Sequence, residues 1–203
     1  MPISRRYKVS KKDPLEWEEV SVEHLIQNEW IDFRIQRFRF PDGSEFEPYY
    51  SYSRRDYIVV VPFDEDGNLI CVRQYRHGIR EVTTEFPAGG IERTDGKEYG
   101  GDKDLNAEDA LEAAKRELRE ETGYASGEWT HLLTVPSNAT ISDNYAYLYM
   151  ARNCRKVSGQ DLDDTEFVNA VKHTPDEIEK MIKDGTFQQS VHVAAWLLAL
   201  REL

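Results

Sequence analysis

Apolar positions recur at two intervals along this 203-residue chain, every second residue in some stretches and every third or fourth in others. Residues 30–40 alternate side to side, turn at Pro41-Asp42-Gly43, and resume in the aromatic stretch 45–52, which predicts a β-hairpin. Residues 57–62 form a continuous apolar run, as a buried strand does; 64–67 is a turn, and 68–75 returns alongside. A further strand leads into Pro87, and others are expected at 129–135, 146–151 and 167–171. Helical spacing occurs three times: between Asn106 and Gly123, over 175–184, and over 188–203, where Val191, Ala194, Ala195 and Leu198 share a face. This alternation predicts an α/β chain with a mixed sheet between helices, and no repeat or low-complexity linker divides it. Residues 1–54 stand apart. A hairpin so rich in aromatics cannot bury both faces alone, so 1–54 is expected to be a β arm packing on a partner surface, with 55–203 as the main domain.

Composition narrows the classes. At 39% hydrophobic and 11% aromatic, the chain can bury an ordinary core. Its net charge of −12 argues against broad binding to nucleic acid or anionic membrane, both of which need a basic surface. The longest apolar runs, 57–63 and 193–200, are too short to span a bilayer, and the basic start lacks the apolar stretch of a signal peptide. Cys71 and Cys154 show neither metal-ligand spacing nor an oxidising-compartment pattern, so reduced thiols and a cytoplasmic location are expected. His24, His77, His131, His173 and His192 have no ligand spacing and read as surface or core residues.

The helix between Asn106 and Gly123 carries the chemistry. At about 100° per residue, Glu117, Glu120 and Glu121 fall within one arc, while Leu111, Ala114 and Leu118 form a neighbouring apolar stripe. Like charges at these spacings destabilise a helix, so either the face is solvated or a cation neutralises it; all-oxygen ligands favour Mg²⁺ or Mn²⁺. Asn106 can cap the first turn, Gly123 can end the helix left-handed, and Ala110 and Ala113 keep the acidic arc free of bulk. Residues 92–121 hold eleven acids against six bases, a local field that attracts cations.

Glu108, Arg116-Glu117-Leu118, Glu120-Glu121 and Gly123, at their spacing, resemble the signature of the Nudix hydrolases. The glycine that opens this signature in the family would fall on Asp102; the matching residue is Gly89, within the run Glu85 to Glu92, and the glycine-rich, charged stretch 93–106 reads as an inserted surface loop. The resemblance implies a Nudix-type α/β/α sandwich with a mixed sheet, preceded by the β arm. It implies Mg²⁺ or Mn²⁺ held by Glu117 and Glu121, with Glu120 completing the cluster and the main-chain carbonyl of Ala88 as a further ligand. Glu108 either complements the helix dipole or supports the site. Arg116 either orients Glu117 or makes a surface ion pair. Glu85 resembles a glutamate that lies near the metals in related enzymes.

The N-terminal extension, Arg73-Gln-Tyr-Arg76 and the 85–90 run look most like the ADP-ribose pyrophosphatases, in which the arm helps form a homodimer and contributes to the partner's nucleotide pocket. Arg76 is then expected on a phosphate, with Arg73 and Arg80 behind it; Trp30 and Tyr50 either stack on a purine or pack a dimer interface. Similar pyrophosphatases take a general base from an acidic loop that maps to 160–166, where Glu166, Asp164 and Asp163 are candidates in that order and a solvated turn is the alternative. In 136–144, Asp143 matches the family while Asn144 stands in place of a glutamate and cannot act as a base. The implied activity is Mg²⁺- or Mn²⁺-dependent hydrolysis of ADP-ribose or a similar nucleoside diphosphate sugar to AMP and a sugar phosphate. Dinucleoside polyphosphates and nicotinamide dinucleotides are alternative substrates, and a non-catalytic nucleotide-sensing module is the alternative of another class.

Overall fold

A computed structural model describes residues 13–28, 30–92 and 108–203. Two compact units divide the described chain, one containing the residues up to Arg55 together with Asn138–Asn144, the other Asp56–Glu92, Glu108–Ser137 and Tyr145–Leu203.

The second unit is the α/β/α sandwich expected from the sequence. Strand β4 (Tyr57–Asp64) lies at its centre, pairing in parallel with β10 (Tyr145–Lys156) and antiparallel with β7 (Ala88–Gly90) and β5 (Leu69–Arg76). β6 (Glu81–Glu85) and β11 (Asn169–His173) flank β5, and β9 (Glu128–Pro136) and the short β8 (Tyr124–Ala125) pair with β10. Alternation along β4 places the helices. Val59, Val61 and Phe63 face one core with Ile178 of α2 (Pro175–Lys183) and Ala195, Trp196 and Ala199 of α3 (Ser190–Ala199); Ile58 and Val60 face the other with Ala113, Ala114 and Leu118 of α1 (Ala110–Thr122). Each valine, leucine, isoleucine and phenylalanine among them contributes about 1.5–3 kcal/mol by leaving water.

Two expected helix faces are corrected. In α3 the buried face is His192, Ala195, Trp196 and Ala199, one step round from the expected stripe. Apolar residues surround this helix, so periodicity could not choose a face, and His192, readable as surface or core, proves to be core. In α1 the cap is Asp109, whose carboxylate accepts from the N–H groups of Leu111 (2.9 Å) and Glu112 (3.4 Å); Asn106 and the stretch 93–106 lie outside the described residues. Ala113 packs in the core instead of bordering an open acidic face. Gly123 ends α1 at φ 71°, as expected, its N–H donating to the carbonyl of Arg119.

The first unit is a three-stranded antiparallel sheet, not a two-stranded hairpin: β1 (Glu18–Gln27), β2 (Asp32–Arg39) and β3 (Glu45–Ser53), in that order. β1 escaped the sequence reading because bulges interrupt its pairing and all ten of its residues are exposed. Trp17, Phe38, Phe40 and Tyr49 form an edge-to-face aromatic cluster on this sheet. Asp143 accepts from the Ser53 hydroxyl at 2.6 Å and lies 3.7 Å from Arg34; Asn144 is buried, its amide donating to the Arg55 carbonyl. Among the described residues no helix is long and apolar enough to cross a membrane.

Candidate active site

Helix α1 and strand β7 build the site between them. The Ala88 N–H donates to Glu121 Oε2 at 3.0 Å, and Arg116 Nη2 donates to the Gly90 carbonyl at 3.1 Å, so both ends of β7 are tied to the helix. Gly89, between them, has no side chain because there is no room for one: a Cβ built there lands on the Glu117 carboxyl group. The acidic arc is therefore not a solvated ridge. Glu117 and Glu121 are 8% and 3% exposed, on the packed side of the helix. Burial pushes the Glu117 carboxyl up to about 7 despite Arg116 beside it, and burial together with repulsion from Glu117 pushes Glu121 well above the ordinary carboxylate range.

One guanidinium gathers the remaining acids. Arg116 Nη1 donates to Glu117 Oε1 and to Glu120 Oε2, both at 2.9 Å, while Nε and Nη2 reach Glu108 at 3.3 and 3.2 Å. Burial lowers the Arg116 pKa but its partners, Glu108 first, raise it further. Glu108 is thus part of the cluster rather than a dipole complement alone; Asp109 takes the cap, and the Glu108 carboxylate also accepts from the Glu92 N–H at 3.4 Å. Among the described residues no three His, Cys, Asp or Glu side chains stand at metal-ligand geometry, and the Arg116 guanidinium bonds both Glu117 and Glu120. The donor set still suits a hard divalent cation: buried, mutually repelling carboxylates and a glycine strand whose missing Cβ leaves them space.

On the other side of Glu121 stands Arg76. Its Nε and Nη2 grip the Glu85 carboxylate at 2.9 and 2.5 Å, leaving Nη1 with no partner among the described residues on a side chain 35% exposed. Arg76 and Glu121 attract each other through space. Glu85 is fully buried and also accepts from the Thr83 hydroxyl and the Gln189 amide. Burial raises its pKa, but Arg76 and Thr83 outweigh that and hold it below the usual value. In this arrangement Glu85 holds Arg76 and presents no oxygen to a ligand. Arg73 and Arg80 are exposed.

The acidic loop is attached to α1. Gln160 donates to the carbonyls of Glu121 (2.6 Å) and Val168 (3.1 Å), and the Asp161 N–H donates to the Glu120 carbonyl at 2.9 Å. Within it Glu166 is exposed, yet its charge raises both Glu117 and Glu121, so it lies within electrostatic reach of the pair; Asp163 and Asp164 are exposed as well. Trp30 and Tyr50 belong to the arm: Trp30 is 69% exposed beside the turn at Asn28, and Tyr50 stacks on Phe33. A groove of about 720 Å³ runs along the outer face of α1, with Glu108, Arg116, Arg119, Glu120, Trp129 and Gln160 in its lining. The links made by Gln160, Gln189 and His192 are not legible in the sequence, since their partners lie 39, 104 and 106 residues away.

Comparison with known proteins agrees with this geometry. The NUDIX domain family model matches residues 53–196. A protein of Bacillus methanolicus named methanol dehydrogenase activator is 25% identical over 183 residues, covering 87% of this chain and 88% of that protein. An ADP-ribose pyrophosphatase of Bacillus subtilis (strain 168) is 23% identical over 176 residues, covering 83% and 84%. A crystal structure of an ADP compounds hydrolase superposes with a TM-score of 0.77 at 22% identity, over 95% of this chain and 96% of that one. The family signature thus sits on a packed helix against a glycine strand, in a fold shared across nearly the whole chain, and the protein belongs to the NUDIX family as a Nudix hydrolase.

Proposed function

We propose that this hydrolase cleaves the pyrophosphate bond of ADP-ribose or a related nucleoside diphosphate sugar, releasing AMP and a sugar phosphate, with Mg²⁺ or Mn²⁺ held by Glu117, Glu121, Glu120 and the Ala88 carbonyl. The observation that carries this reading is the buried pair Glu117 and Glu121 packed against Gly89 and Ala88, with Arg76 in electrostatic reach of Glu121. The named activity of the B. subtilis relative supports the substrate class. When bound, a divalent ion neutralises phosphoryl oxygens and acidifies water. The chain's own groups do the rest. Arg76 Nη1 binds a phosphate oxygen, its guanidinium held in aim by Glu85. Glu166 accepts the proton of the attacking water as the new oxygen–phosphorus bond forms and the bridging phosphorus–oxygen bond breaks. Arg116 keeps Glu117 and Glu120 oriented, and the groove along α1 offers the second half of the substrate a place.

The test is AMP release from ADP-ribose in Mg²⁺ by the parent, Glu121→Gln and Glu166→Gln. Loss of metal-dependent turnover in Glu121→Gln and a fall of about 10²- to 10⁴-fold in kcat for Glu166→Gln are expected. Unchanged turnover in folded Glu121→Gln refutes the metal role; a panel with dinucleoside polyphosphates and nicotinamide dinucleotides sets the substrate. The relative named as a dehydrogenase activator favours a second, regulatory reading, which tight ADP-ribose binding without product in Mg²⁺ would support. We further infer a homodimer through the arm, supported by exposed Trp17, Val22, Leu25 and Ile26 on and beside edge strand β1; a monomer in sedimentation velocity rejects it. Two buried free thiols, Cys71 and Cys154, support a cytoplasmic location.

A further inference from the structure

The residues that lead into and open α3 run along β6. Phe187 packs edge-on against Phe86, with ring centroids 5.0 Å apart, and the Gln188 amide donates to Glu81 at 2.6 Å. Gln189 occupies the N-cap position of α3, yet its amide makes no cap bond and donates to Glu85 instead. His192, one turn on, accepts the Phe86 N–H on Nδ1 at 3.1 Å, its ring lying nearly parallel to that of Phe86 at 11°.

Three main-chain groups of the turn between β6 and β7 matter for its placement. Pro87 has no N–H to give, and its carbonyl accepts from Val60 at 3.0 Å. The Ala88 N–H goes to Glu121. The Phe86 N–H is the third, and His192 is its acceptor. His192 is 4% exposed, and burial lowers its pKa to about 4, so the ring is neutral and its accepting Nδ1 places the proton on Nε2. An apolar side chain would fill this space without desolvating a polar ring; the acceptor it supplies explains the imidazole.

We propose that His192 is a positioning residue for the carboxylate pair: by holding the Phe86 amide it sets the β6–β7 turn, and so the register at which Ala88 and Gly89 meet Glu121 and Glu117. This inference rests on the proposed metal role of that pair. His192→Asn keeps an acceptor where Nδ1 stands, His192→Gln moves it to the place of Nε2, and His192→Leu removes it. In metal-free protein, hydrogen exchange at the Ala88 amide is expected to quicken about tenfold in the Gln and Leu variants but not in Asn. Mn²⁺ affinity, measured calorimetrically, is expected to fall about 10- to 100-fold in the same two variants. Leu198→Ala, which loosens the same core without removing the acceptor for the Phe86 N–H, is expected to leave Mn²⁺ affinity unchanged. Equal behaviour of the Asn and Gln variants overturns the proposal, and that comparison decides even where His192→Leu does not fold. A parent that binds no Mn²⁺ refutes the metal role alone, because the exchange measurement needs no metal.

Discussion

Replacing Gly89 with alanine adds one methyl group, and the structure dictates where its cost appears. The new Cβ would lie closer to the Glu117 carboxyl carbon and both oxygens than the 3.0 Å that real Cβ atoms essentially never breach. Strand β7 cannot give way easily, since its backbone is bonded to β4 on one side and to Glu121 and Arg116 on the other. Glu117 is the far end of a flexible side chain and yields first. It must retreat by about 1 Å, a displacement that in a preorganised site costs about 10²-fold in rate, or about 2.7 kcal/mol. Leaving, it gives up the 2.9 Å hydrogen bond from Arg116 Nη1 but also relieves a carboxyl whose ionisation burial opposes, so the fold should lose only about 1 kcal/mol. The assay pairs AMP release from ADP-ribose with a urea melt of the same preparation. Turnover in Gly89→Ala within threefold of the parent would refute the placement of Glu117 in the working site; a collapse of the fold would refute the claim that the side chain yields before the strand.

Two further outcomes follow from the buried charges. Arg76→Met leaves Glu85 buried without its main partner and is expected to cost about 3 kcal/mol in a denaturant melt, with Arg76→Met/Glu85→Gln recovering most of it; a single variant as stable as the parent contradicts the pairing. In metal-free protein, Glu117 and Glu121 have folded pKa values above their unfolded ones, so native protein holds protons that unfolded chain has lost, and stability falls as pH rises through that range. His192 and His131, with lowered pKa values, act in the opposite sense, most of it below about 6.5 and a few tenths of a kcal/mol each above it. Between pH 6.5 and 8 the acids outweigh the histidines, Glu117 contributing on the order of 1 kcal/mol and Glu121 adding in the same sense, so chelated protein should melt earlier in urea at pH 8; equal or greater stability there contradicts the burial argument.

Much of the molecule is legible from residue order because its causes are local. Turn residues at 41–43 and 64–67, the apolar run of β4, and the acids and Gly123 of α1 each state their element within a few positions, and together they state the family. The arm's first strand was less legible: it is an exposed edge whose alternation no core enforces.

What tertiary structure alone decided is which side of α1 the acids occupy and what meets them there. Helical projection places Glu117, Glu120 and Glu121 in one arc, but cannot tell a ridge in water from a pair pressed against β7, because burial depends on a strand about thirty residues away: Ala88 and Glu121 are 33 apart. The same holds for the grip of Arg76 on Glu85, the central guanidinium of Arg116, and the imidazole of His192 beneath the β6–β7 turn. Periodicity is a property of neighbours along the chain, whereas a desolvated charge and its partner are neighbours only in space, and only the packed sheet brings them together.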